Sequence, residues 1–127
     1  MTFNNPPPTG QYFNIPILHK IVEFYKKNYL LSPKIPKKDR FGIYLKIENI
    51  CLETTTLIIN ASLEIKTNKL PILNSARIKI EILKRLIRIS HELNIIGRKK
   101  YIELESDLQE ISKMANGWIK YLLKKSQ

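Results

Sequence analysis

Apolar side chains recur along this chain at three- and four-residue steps, interrupted at three places by proline, glycine or short polar runs. That period gathers them on one side of an α-helix. The first periodic stretch is IPILHKIVEFYKKNYL, where Pro16 suits a first helical turn. SPKIPKK carries two prolines and breaks it; Asp39 then stands where it can cap a second helix, RFGIYLKIENICLETTTLIINASLEI. TNKLP makes the next break, with Thr67 or Asn68 as cap and Pro71 inside the first turn of a third helix ending near Asn94. Gly97 marks a tight turn before the last, RKKYIELESDLQEISKMANGWIKYLLKK. Long helices on short links pack against their chain neighbours, so the expected fold is all-α: an antiparallel up-down-up-down four-helix bundle. Residues 14–127 form its single domain, and residues 1–13, with three consecutive prolines, read as a flexible Pro-rich tail.

The helix faces are unequal. The last helix has one apolar stripe, Tyr101, Leu104, Leu108, Ile111, Ala115, Trp118 and Leu122, with Trp118 as a core anchor and Gly117 beside it allowing close packing. The second has such a stripe in Ile43, Ile47, Ile50, Thr54, Leu57, Ala61 and Ile65, plus a ridge on the opposite side: Leu45, Leu52, Ile59 and Leu63. The third repeats this more strongly. Ala76, Ile80, Leu83 and Ile87 form one stripe; Ile78, Ile82, Leu86, Ile89 and Leu93 form another. Together they cover roughly 200° of the helix circumference, well beyond the width a bundle helix needs. The second stripes therefore predict a further partner, a neighbouring copy of the chain. The remaining sector holds Arg77, Glu81, Lys84, Arg85, Arg88, His91 and Glu92.

Charge changes the picture next. Lys and Arg number 22 against 11 acids, a net charge of +11, which favours a polyanionic partner. Antiparallel connectivity puts the first and third links at one end, bringing Lys34, Lys37, Lys38 and Arg40 near Arg98, Lys99 and Lys100. In a cyclic oligomer that pole becomes a charged ring, suited to phosphate contacts without base reading. The single Cys51 excludes an internal disulfide and lies on an apolar face as a buried thiol. No apolar run is long enough to span a bilayer and the amino terminus has no signal-peptide pattern, so the expected setting is cytoplasmic, without membrane contact.

Catalytic signatures are sparse. Metal-ligand spacings, glycine-rich phosphate loops and nucleophile elbows are missing, so no metal or cofactor is expected. Glu103 and Asp107 read as acids near a helix start, and His19 and His91 as surface or rim residues. One pair fits a catalytic pattern: Arg85 and His91 have the Arg-to-His spacing of HEPN ribonucleases, helical proteins that cut RNA without metal.

Four segments, IPILHKIVEFYK, PKIPKKDRF, KLPILNSARIKIEILKRLIRISHELNII and YIELESDLQEISKMANGWIK, together resemble the Avd-like four-helix-bundle proteins. These are the accessory variability determinants of diversity-generating retroelements, related to the intervening-sequence proteins of 23S ribosomal RNA genes. The resemblance covers about residues 15 to 120. It rests on Pro36, Lys37 and Arg40, on Leu73 and Ala76, on Arg88 with Glu92 and Leu93, and on Ile111 through Gly117 and Trp118. It implies a homopentameric barrel and a non-catalytic partner of a reverse transcriptase, gripping RNA and cDNA while adenines are miscopied. Carried over residue by residue, it points to Lys37, Arg40 and Arg88 as nucleic-acid contacts. Arg77, Lys84, Arg85, Arg98, Lys99 and Lys100 rest on the charge argument. A scaffold akin to the intervening-sequence proteins is the alternative to the ribonuclease and accessory readings.

Overall fold

A computed structural model describes residues 15 to 125; the Pro-rich segment lies outside the described residues. They form α1 (Pro16–Leu31), a 3-10 turn (Ser32–Lys34), the one-turn α2 (Lys37–Arg40), α3 (Ile43–Leu63), α4 (Lys66–Glu92) and α5 (Arg98–Lys125). No strand occurs among the described residues. The long helices α1, α3, α4 and α5 pack in a closed cycle, each on its chain neighbours and α1 on α5.

Cross-helix pairs fix the directions. Lys20 meets Glu110 at 2.7 Å while Lys27 meets Glu103 at 2.9 Å, so α1 and α5 run antiparallel. Lys79 meets Glu53 at 2.9 Å, and Lys69 reaches the Ala61 carbonyl at 2.6 Å, so α3 and α4 do too. Up-down-up-down connectivity follows. The core holds most of the expected stripes: Ile47, Ile50, Thr54, Ala61, Ala76, Ile80, Leu83, Ile87, Leu104, Leu108, Ile111 and Ala115 are buried, whereas Ile65, expected on the same stripe as Ala61, lies past the end of α3 and is exposed. Cys51 is buried among them, and burial pushes its thiol pKa far up, so it stays protonated.

Five local expectations are corrected. TNKLP does not break the chain: α4 starts at Lys66, and Pro71 is its sixth residue rather than a first-turn proline. Neither Thr67 nor Asn68 caps it; Ile65 precedes the first turn without a side-chain cap. Asp39 lies inside α2, and α3 begins only after Gly42. A Cβ at Gly42 would come within 3.0 Å of the Lys38 carbonyl oxygen, so glycine lets the chain bend closely between α2 and α3. The tight turn expected at Gly97 is made at Asn94, the one described non-glycine residue with positive φ (61°). Its N–H donates to His91 O at 2.9 Å and that of Ile95 to Ser90 O at 2.8 Å, a Schellman closure in which asparagine takes glycine's usual place. Finally, Gly117 is exposed with nothing near the position of a Cβ, so it serves no close packing, and Trp118 is half-buried at the junction of two core clusters.

Candidate nucleic-acid interface

The antiparallel cycle puts the α1–α3 link and the α4–α5 turn at one end of the bundle. Each is held by a buried isoleucine: Ile35 plugs the first and Ile96 the second. Lys34, Lys37 and Lys38 project from the first link, exposed and without a carboxylate partner among the described residues. Arg98 and Lys99 do the same from the first turn of α5. Beside them is an open cleft of about 510 Å³ lined by Gly97, Arg98, Lys99, Lys100 and Glu103. Bases in the opening turn of α5 face the positive end of the helix dipole, which is locally unfavourable. No acid lies in that turn.

Arg40 stands apart. Its Nη2 donates to the carbonyls of Pro33 and Ile35, both at 3.2 Å, and its Nε is buried without a partner. The guanidinium is engaged in closing the link that carries Lys34, Lys37 and Lys38. Lys100 is shared as well, donating to Glu103 at 3.1 Å. Glu103 also accepts from Lys27, which donates to Asp107 at 2.7 Å. The Lys27 and Lys100 contacts hold the Glu103 carboxyl below its usual range, while Asp107 and then Glu103 raise the Lys27 ammonium pKa.

The bases expected on the third helix lie along α4, outside the pole. Lys84 pairs with Glu81 at 2.9 Å and Arg88 with Glu92 at 3.6 Å. Arg85 is exposed, and half-buried Arg77 lies roughly 22 Å down the helix axis from Glu92. Arg85 and His91 leave α4 about 120° apart around its axis. The His91 ring stacks on Tyr101 with centroids 4.4 Å apart and lies 3.4 Å from Ile96 O through Nδ1. This pairing fastens the α4–α5 turn and does not converge with Arg85 on a common site. No group of three or more His, Cys, Asp or Glu able to hold a metal occurs among the described residues.

The second stripes point away from the bundle. Leu45, Leu52 and Leu63 on α3, and Ile78, Ile82 and Ile89 on α4 with Leu93 just past its end, are exposed, with Leu52 at 47% and Ile78 at 52%. Ile59 and Leu86 depart from this pattern: each is half-buried against the bundle's own core. No helix of the described residues is long and apolar enough to cross a membrane.

Three further bases that the expected contact set did not include, Lys113, Lys120 and Lys124, are exposed on the outer face of α5. Their signal was available in the seven-residue step from Lys99 through Ser106 and Lys113 to Lys120. A family model described as bAvd-like matches residues 16–122. Comparison with curated proteins gave no match, and comparison with solved structures gave none.

Proposed function

The chain belongs to the bAvd-like family, and on that premise we propose that it is a non-catalytic accessory protein of a diversity-generating retroelement. In this reading it binds template RNA and its cDNA through phosphate contacts and docks a reverse transcriptase, which does the chemistry in the cytoplasm. The exposed apolar stripes of α3 and α4 close copies of the chain into a ring, a pentamer by family resemblance. The observation that carries the nucleic-acid role is the pole: five bases on two converging links, each exposed and without a carboxylate partner among the described residues. In this role Lys34, Lys37, Lys38, Arg98 and Lys99 contact phosphate. Arg40 holds their link in place.

Binding of a labelled RNA measured across salt concentrations tests this. Affinity is expected to fall steeply with salt, and Lys34→Gln/Lys37→Gln/Lys38→Gln should flatten the log–log slope by about 2, at roughly 0.7 per single-strand phosphate contact. Thermal stability should change by less than about 0.5 kcal/mol, since these are exposed unpaired charges. Wild-type binding that is absent or indifferent to salt would falsify the reading. Polymerase capture that survives nuclease treatment, without any affinity for free RNA, would instead favour a scaffold.

A further inference from the structure

The charges of α5 are sorted around its axis. Glu103, Asp107 and Glu110 lean toward α1, where Lys27 and Lys20 neutralise them. Glu105 accepts from Gln109 at 2.8 Å and is half-buried on the flank toward α4. The outward line carries no acid of its own, although Lys113 lies near enough to Glu110, one turn before it, to help lower that carboxyl. Lys99, Ser106, Lys113 and Lys120 follow one another at seven-residue steps, and Lys124 lies one turn on, all exposed. Seven residues are nearly two full turns, so this line stays straight for roughly 38 Å.

Gly117 interrupts the line and has no packing reason to be glycine. It costs the helix about 1 kcal/mol relative to alanine. Around it is a shallow, open depression of about 460 Å³ lined by Gly117, Lys120, Tyr121, Leu123 and Lys124. The Tyr121 ring is 45% exposed, and the Lys125 ammonium lies 5.6 Å from its centroid. An exposed aromatic ring among lysines, beside a gap without a side chain, is the arrangement that stacks an unpaired base while ammonium groups hold the adjoining phosphates.

The geometry points to a track for single-stranded nucleic acid along the outer face of α5, running from the basic pole to a nucleotide seat at Gly117 and Tyr121. This rests on the nucleic-acid reading above and assigns it a strand type, a path and a base-stacking contact roughly 30 Å from the pole. Lys113, Lys120 and Lys124 bind phosphates, and Tyr121 stacks a base. A duplex, whose bases are already stacked, gains the lysine contacts only.

The test uses fluorescence anisotropy of the full chain with a labelled single-stranded RNA, a duplex of the same length, and phosphatidylserine vesicles. Lys113→Gln/Lys120→Gln/Lys124→Gln is expected to flatten the single-strand salt slope by about 2. Tyr121→Leu is expected to weaken the single strand about 5- to 100-fold and leave the duplex unchanged. Gly117→Gln should raise the melting temperature and still weaken the single strand; a purely structural glycine would lower both. If the wild type binds, the Lys34/Lys37/Lys38 variant flattens the slope and the α5 variants match wild type, the track is overturned and the pole stands. If the wild type binds no RNA, both fall. Tighter binding to the vesicles than to RNA, lost in the α5 triple variant, would overturn the track in favour of a lipid surface.

Discussion

Asn28 is fully buried near the end of α1, and its side chain is satisfied at both ends. Its Nδ2 donates to Phe24 O at 2.8 Å, and its Oδ1 accepts from the buried Tyr44 hydroxyl at 2.6 Å. Burial pushes the Tyr44 pKa far up, so the phenol keeps the proton that it donates. Tyr44→Phe removes the donor and strands the Asn28 oxygen in the core. A loss of about 1–3 kcal/mol is expected in urea unfolding, with little loss in Asn28→Ala/Tyr44→Phe beyond that of Asn28→Ala alone. An unchanged unfolding midpoint in Tyr44→Phe would contradict this account. Such a pair is hidden in the sequence, because an asparagine among lysines and tyrosines reads as surface. Lys69 is hidden for the same reason. It is only 7% exposed and donates to the Ala61 carbonyl at 2.6 Å, with the Ser62 carbonyl at 3.4 Å, closing the end of α3. Desolvation lowers its pKa, partly offset by Glu64. Apolar periodicity made Cys51 and the core isoleucines readable; it carries no information about which polar group is buried.

At the scale of elements, α1 is clasped to α5 by charges from opposite ends of the sequence. Lys27 reaches both Glu103 and Asp107, and Lys20 reaches Glu110. The carboxyl of Glu103 is lowered from 4.5, so its contribution is present above that value and lost as pH falls through the folded-state pKa. The ammonium of Lys27 is raised from 10.5, so its contribution is complete below that value and lost as pH rises through the folded-state pKa. Stability is therefore expected to include a clasp contribution between about pH 5 and 10 that Lys27→Met removes. The clasp is partly exposed, so about 0.5 kcal/mol is the scale to look for in thermal unfolding at pH 7 against pH 3. Equal pH dependence in wild type and variant would contradict it. Four long helices and their facing stripes were legible because burial imposes a 3.6-residue period. The boundaries were less so. TNKLP looks like a break, yet Lys69 anchors its turn to α3 and Pro71 sits exposed on the outer side of α4. Asn94 adopts the left-handed turn that the sequence suggested for Gly97.

For the whole molecule, the decisive feature is the pair of apolar lines turned away from the core. Leu45, Leu52 and Leu63 belong to one, and Ile78, Ile82, Ile89 and Leu93 to the other. Monomeric soluble proteins rarely leave contiguous apolar lines of this kind in water. These lines were legible because the α3 and α4 patterns are wider than one bundle can bury. The base inventory was legible as a total, but its distribution was not. Ion pairs and carbonyl contacts engage Lys27, Lys79, Lys84, Arg88, Lys100 and Arg40, and only the folded chain separates these from the bases of the pole and α5 that form no ion pair among the described residues. Light scattering on purified protein at micromolar concentration tests the central claim of self-association most directly. The expected mass is several times the 14.9 kDa of one chain, returning to one chain in Leu52→Glu/Ile82→Glu with its helix content intact. A wild-type mass of 14.9 kDa, with both apolar lines open to solvent, would contradict it.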